Sequence, residues 1–134
     1  MSFALDALGS FVQGRAARVQ SKMRARVLEQ DALARKAAGE SEALGIEREG
    51  RAAVAAGTVA AATSGFTVDG SALDVLGWME QQTGANAGKA RWEAEREARA
   101  IRNEAAATRY QGKVAYATGL IRAGSSLASG ANAV

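Results

Sequence analysis

Small and hydrophobic residues recur along this chain in alternating steps of three and four, the period of an α-helix and not of a strand. A first run, from Arg15 to Ser64, carries such a line at Ala16, Val19, Met23, Val27, Gln30, Ala34, Ala37, Ser41, Leu44, Arg48, Ala52, Ala55, Val59 and Ala62. Three polar residues, Gln30, Ser41 and Arg48, interrupt it. A second run, from Ser71 to about Arg122, carries Ala87, Ala90, Ala94, Ala98, Ile101, Ala105, Thr108, Gly112, Ala115 and Gly119. A stripe made almost wholly of Ala, Gly and Thr lets two helix axes come close, at the short end of the usual range of about 8–10 Å. The two lines therefore predict one helical domain over residues 1–134, an elongated antiparallel hairpin with arms of roughly 60–75 Å at 1.5 Å rise per residue.

The bend between the arms is marked by Gly65, the β-prone triplet Phe66, Thr67 and Val68, and then Asp69-Gly70. Ser71-Ala-Leu-Asp74 follows as a Ser-x-x-Asp helix start, with Ser71 expected to cap the second arm. Leu73, Leu76, Trp78 and Met79 crowd the start of that arm and are expected to be buried against something. Gly84 and Gly88 allow a kink or break. Residues 1–14 form a short amphipathic helix, with Phe3, Ala7 and Phe11 beside Ala4, Leu8 and Val12, loosened by Gly9 and Gly14. At the other end the helix is expected to stop near Arg122 to Gly124 and leave a Gly/Ser/Ala-rich tail over 123–134.

Composition changes the picture in one respect. The chain is 48% hydrophobic, but alanine supplies most of that and aromatic residues only 5%. Burying an alanine methyl is worth about 0.8 kcal/mol, so two such arms gain little from each other. Large residues off the second line, namely Trp92, Arg99, Tyr110, Val114 and Ile121, then imply a second partner surface. Trp78, Trp92, Tyr110 and Ile121 are the candidate contacts between copies of the chain.

Cysteine and histidine are both missing, which excludes disulfides, thiolate or imidazole metal sites and the common nucleophilic triads. No Walker loop, dinucleotide fingerprint or metal-spaced carboxylate cluster is present, and the expectation is a non-enzymatic protein without cofactor or metal. The start of the chain lacks the basic and apolar regions of a secretory signal. Ala52 to Phe66 is uncharged but too short and alanine-rich for an ordinary transmembrane helix, so assembly is expected to begin in the cytosol.

Net charge is +3, and the cations are not spread evenly. Arg15, Arg18, Lys22 and Arg26 follow one another at three- and four-residue steps, with Arg24 nearby and no acid between Asp6 and Glu29. Such a ridge is either a solvated helix face or a contact for the phosphates of nucleic acid or anionic lipid. Farther on, Lys89/Glu93, Arg91/Glu95 and Glu95/Arg99 are spaced four apart, the pattern of an exposed helix face.

The order of these features resembles a known family. REGRAAVAAGTVAAATSGFTVDGSALDVL leads into EAEREARAIRNEAAATRYQGKVAYA and closes on GSSLASGA. This is similar to the internal virion proteins of tailed bacteriophages, the smaller DNA-ejection proteins of short-tailed phages, across about residues 45–130. There a Gly…Gly-Ser corner followed by Asp-Val-Leu joins two long helices, matched here by Gly65, Gly70, Ser71, Ala72, Asp74, Val75 and Leu76. The resemblance implies a virion protein at the portal or tail that forms a homo-oligomer, expected as a ring, with other virion proteins as partners. It also implies ejection with the genome into the host envelope, there helping to form a conduit and touching DNA or membrane. Two rivals stand beside it, a structural adaptor that is never ejected and a basic nucleic-acid-binding hairpin using the Arg15–Arg26 stripe.

Overall fold

The computed structural model describes residues 2–65 and 70–131. Two helices account for nearly all of them, α1 (Ser2–Thr63) and α2 (Ser71–Ala131), packed against each other as an antiparallel helical hairpin. Proline is absent and alanine abundant, so nothing in either arm breaks the hydrogen-bond ladder. Both helices run farther than their glycines suggested. α1 passes through Gly9 and Gly14, so the expected short N-terminal helix is the first part of one 62-residue element. α2 passes through Gly84, Gly88 and Gly124 and reaches Ala131, beyond the end expected near Arg122 to Gly124. A helical glycine costs only about 1 kcal/mol relative to alanine, which good neighbours readily offset.

The corner works through two left-handed residues. Ser64 closes the last turn of α1, its amide donating to the Ala60 carbonyl at 3.1 Å. Gly65 then takes φ 73°, the usual glycine termination of a helix. Gly70 has φ 62°, and its carbonyl accepts the Asp74 amide at 3.2 Å. Gly70 thus holds the half-in position and Ser71 is the first helical residue, which corrects the expectation that Ser71 caps α2. Asp74 lies in the first turn, where its charge complements the positive end of the helix. Phe66, Thr67, Val68 and Asp69 lie outside the described residues.

Contacts divide the chain into two compact units. Unit 1 joins Met1–Ala32 to Ala100–Val134, and unit 2 is Leu33–Arg99. In unit 1 the face of α1 turned towards α2 reads Gly14, Ala17, Ser21, Ala25, Leu28 and Ala32. It meets Ile101, Ala105, Thr108, Gly112, Tyr116 and Gly119. A Cβ on Gly112 would stand 2.5 Å from the Ser21 Cβ, and one on Gly119 would stand 3.3 Å from the Gly14 Cα. Gly14 to Ser21 is seven residues, and so is Gly119 back to Gly112, as antiparallel pairing in a fixed register requires.

Unit 2 follows the same rule. Its α1 face is Arg35, Gly39, Ala43, Ile46, Gly50, Val54, Gly57 and Ala61. Opposite them stand Leu76, Met79, Thr83, Ala87, Ala90, Ala94 and Ala98. Gly39 faces Ala94, Gly50 faces Thr83 and Gly57 faces Leu76, so steps of eleven and seven along α1 are answered by equal steps back along α2. Ile46 packs on the cluster of Ala43, Ala87 and Ala90. The three-four-four spacing is that of an eleven-residue repeat, about 3.67 residues per turn, close to the natural α-helical period and unlike the 3.5 of a left-handed coiled coil.

The second predicted line is therefore the inner face of α2, with Tyr116 in place of Ala115. The first predicted line is on the wrong side of α1. Ala16, Val19, Met23, Val27, Gln30, Ala34, Ala37, Ser41, Leu44, Arg48, Ala52, Ala55, Val59 and Ala62 are all exposed. The physical reason is size. Only alanine and glycine fill the fully buried contacts, so Leu28, Val54, Leu76 and Met79 stay half-buried on the inner faces and the bulkiest line on α1 is the one turned outward. Ser21 and Thr83 are tolerated inside because each hydroxyl donates to a carbonyl of its own helix, Ala17 at 2.7 Å and Met79 at 2.9 Å.

Candidate interaction surface

Among the described residues the buried hydrophobic side chains are Ala25, Ala32, Ala43, Ala87, Ala90, Ala94, Ala98 and Ala105, every one an alanine. Most of the large hydrophobes lie outside. Trp78, Trp92, Tyr110 and Ile121, the candidate contacts between copies, are 62%, 60%, 69% and 72% exposed. Leu73 and Val75 are exposed as well, while Leu76 and Met79 are half-buried, so within the chain the start of α2 is only partly covered. Trp92 carries the Arg96 guanidinium 5.3 Å above its ring. The corner residues Gly65, Gly70, Ser71 and Asp74 are likewise exposed.

The four cations of the basic stripe all project from unit 1 into solvent. Arg15, Lys22 and Arg26 stand on one flank of α1 at spacings of seven and four. Arg18 is drawn towards α2, its guanidinium 4.9 Å from the centre of the Tyr116 ring. Tyr116 also meets Phe11, with ring centroids 6.4 Å apart and planes tilted by 56°. At about 100° per residue, the outward side of α1 opposite Gly14, Ser21 and Ala25 is occupied by Val12, Val19, Met23 and Val27. These are 61%, 53%, 63% and 55% exposed. Arg24 closes the other flank, so the apolar line has cations on both sides. A groove of about 1170 Å³ runs along this face, with Glu104, Thr108 and Gln111 of α2 as its polar wall.

Charge is handled differently in unit 2. Arg91 of α2 reaches across to α1 and grips Glu40 with a fork of Nε to Oε2 at 2.9 Å and Nη2 to Oε1 at 3.0 Å. Its Nη1 sits 2.9 Å from Glu47. The expected Arg91/Glu95 pair gives way to this cross-helix clamp, although Lys89/Glu93 and Glu95/Arg99 form along the helix at 3.8 and 3.3 Å. Arg35 pairs with Glu97 in the same cross-helix manner. The hydrogen bond from Arg91 holds the Glu40 carboxyl below its ordinary pKa, and that from Arg35 does the same for Glu97. Arg91 in turn is held above its already high value by Glu40 and then Glu47. In unit 1 Arg109 meets Glu29 at 2.7 Å, but Arg15, Lys22, Arg24 and Arg26 have no carboxylate among the described residues.

Unit 1 holds nine Lys and Arg against four Asp and Glu, and unit 2 holds eight against ten. Sequence reasoning finds the stripe but misses the parts played by Arg24, Arg91 and the Tyr116 shelf. Arg24 breaks the three-four spacing of the other cations. Its place on the opposite flank follows only once the inner face of α1 is known. Arg91 reads as a partner of its own helix, because a partner fifty residues away leaves no local spacing to read.

No group of three or more acidic, cysteine or histidine residues among those described stands close enough to hold a metal ion. No helix among the described residues is long and apolar enough to cross a membrane. No protein-family model matches the chain. No curated protein and no solved structure matches it either.

Proposed function

We propose that the protein is a non-enzymatic helical hairpin that assembles with copies of itself in a phage particle and helps form the conduit for genome delivery across the host envelope. The observation that carries the assembly part is the placement of hydrophobic residues. Among the described residues the fully buried hydrophobic side chains are all alanine, while Trp78, Trp92, Tyr110 and Ile121 are left in solvent. Exposed aromatic and branched side chains of this size are what the core of a protein–protein interface uses. The phage part is supported by the resemblance at Gly65, Gly70, Ser71, Asp74, Val75 and Leu76, and by a hairpin joined at that same corner.

Two measurements test this reading. The mass of the purified chain, with thermal unfolding followed across a hundredfold range of concentration, should show an oligomer whose Tm rises with concentration. A monomer with a sharp, concentration-independent transition would remove self-assembly. Fractionation of infected cells should then place the protein with the host envelope. Its retention in emptied particles would instead identify a portal or tail adaptor.

A further inference from the structure

We infer that the outer face of unit 1 is a docking surface for anionic lipid headgroups, with the line Val12, Val19, Met23 and Val27 entering the headgroup boundary. The inference uses unit 1 alone and stands whether or not the chain belongs to a phage. Three observations meet there. The apolar line is exposed, and α2 borders it along one edge only, through Glu104, Thr108 and Gln111. Cations border it on both sides, Arg15, Lys22 and Arg26 on one and Arg24 on the other; none of them forms an ion pair among the described residues, and Glu104 of α2 is the acid on the groove's wall. The line is also short of anything that would let it cross a bilayer, since no described helix is apolar enough to do so. A helix lying in the interface plane needs this layout, an apolar face sunk about 5–10 Å with Lys and Arg stems reaching back to phosphates.

The same layout disfavours the other occupants. Duplex DNA offers phosphates to Arg15 and Lys22 but leaves the methyls of Val19 and Met23 in water, because contacts to the phosphate backbone gain nothing from an apolar stripe. A second copy meeting this face about a two-fold axis would set the four cations against their own equivalents, a like-charge arrangement that opposes association. An anionic bilayer surface satisfies both rows of residues together.

Full-length protein is mixed with vesicles of phosphatidylcholine alone or with about 30% phosphatidylglycerol, and co-sedimentation is followed from about 50 to about 500 mM salt. Binding is expected only with the anionic lipid and is expected to weaken as salt rises. Replacing Arg15, Lys22, Arg24 and Arg26 together by Gln should weaken it at least about tenfold, and Val19→Ser with Met23→Ser should weaken it at unchanged lipid charge. These side chains are exposed, so helicity by circular dichroism should match the parent. As a second readout, Val19→Trp in a Trp78→Phe/Trp92→Phe background leaves a single indole, whose emission should shift to the blue on phosphatidylglycerol vesicles. Equal binding to both vesicle types, no binding to either, or an indole emission unmoved by bound vesicles in that variant would overturn the proposal. So would binding to duplex DNA that is tighter than to vesicles and indifferent to the Val19 and Met23 changes. None of these outcomes depends on the oligomer mass or on where the protein is found after infection.

Discussion

Gly39 and Gly84 are both glycines inside long helices, yet a methyl group would mean opposite things at the two sites. On Gly39 it would collide with the Cβ of Ala94 and lie 3.4 Å from the Ala90 carbonyl oxygen, so the helices must part to admit it. On Gly84 it would meet nothing within 4 Å. Gly39→Ala should therefore destabilise the hairpin by about 1–3 kcal/mol, the usual cost of overpacking. Gly84→Ala should stabilise it by about 0.5–1 kcal/mol through helix propensity. Urea unfolding of the two variants gives the signs directly, and a common sign would refute the register. The corner allows a second contrast. Gly70 sits at φ 62°, where a residue with a Cβ loses about 1–2 kcal/mol, so Gly70→Val should cost at least that much. Ser71→Ala should stay within about 0.5 kcal/mol, because Ser71 is the first helical residue and not the cap. A loss as large as that of a true cap, nearer 1–2 kcal/mol, would return Ser71 to the capping role.

Within the elements, the register of unit 2 is fixed by small residues and then locked by cross-helix charge. Arg91 can reach Glu40 and Glu47 together only in one alignment, because the two carboxylates are seven residues apart on the same side of α1. The carboxyls of Glu40 and Glu97 are held below their ordinary pKa by Arg91 and Arg35. A depressed carboxylate contributes stability above its unfolded-state pKa, and that contribution disappears as pH falls through the lower folded value. Thermal stability should hence be level near neutrality and decline on acidification below the ordinary carboxylate range. The Glu40→Gln/Glu97→Gln variant should show a shallower decline. An equally steep decline in that variant would assign the acid sensitivity to other carboxylates. Seen from the sequence, α2 is the more readable element, since from Ala87 to Gly119 its inner line is mostly alanine and glycine at an unbroken three-four spacing, while Trp92, Tyr110, Val114 and Ile121 are too sparse to form a rival line. α1 carries two lines at the same period, one small and one bulky. Periodicity finds both, but only knowledge that the partner face is small selects Gly14, Ser21, Gly39 and Gly50 over Val19, Met23, Leu44 and Val59. The helix ends differ from expectation for another reason, because Gly9, Gly14 and Gly124 lower propensity without ending a helix that has no proline and many alanines.

For the molecule as a whole, the seam and the outer surface should separate cleanly under mutation. Ala43 and Ala94 are 0% and 2% exposed, whereas Trp92 and Ile121 are mostly in solvent. Ala94→Leu adds three carbons where Gly39 already lies against the existing methyl, so it should cost about 1–3 kcal/mol or more and break the hairpin at any protein concentration. Trp92→Gln with Ile121→Gln removes side chains that the isolated chain does not bury, and its effect on the fold should stay within about 0.5 kcal/mol per site. If copies meet through those residues, the pair of substitutions should lower the assembled mass and abolish the rise of Tm with concentration, while dilute protein melts as the parent does. Sedimentation velocity of the parent and the two variants, read beside melting curves at low and high concentration, supplies both quantities. An outer-face variant that remains fully assembled would clear Trp92 and Ile121 of the contact. Trp78 near the corner and Tyr110 would then be the candidate contacts left to account for the association.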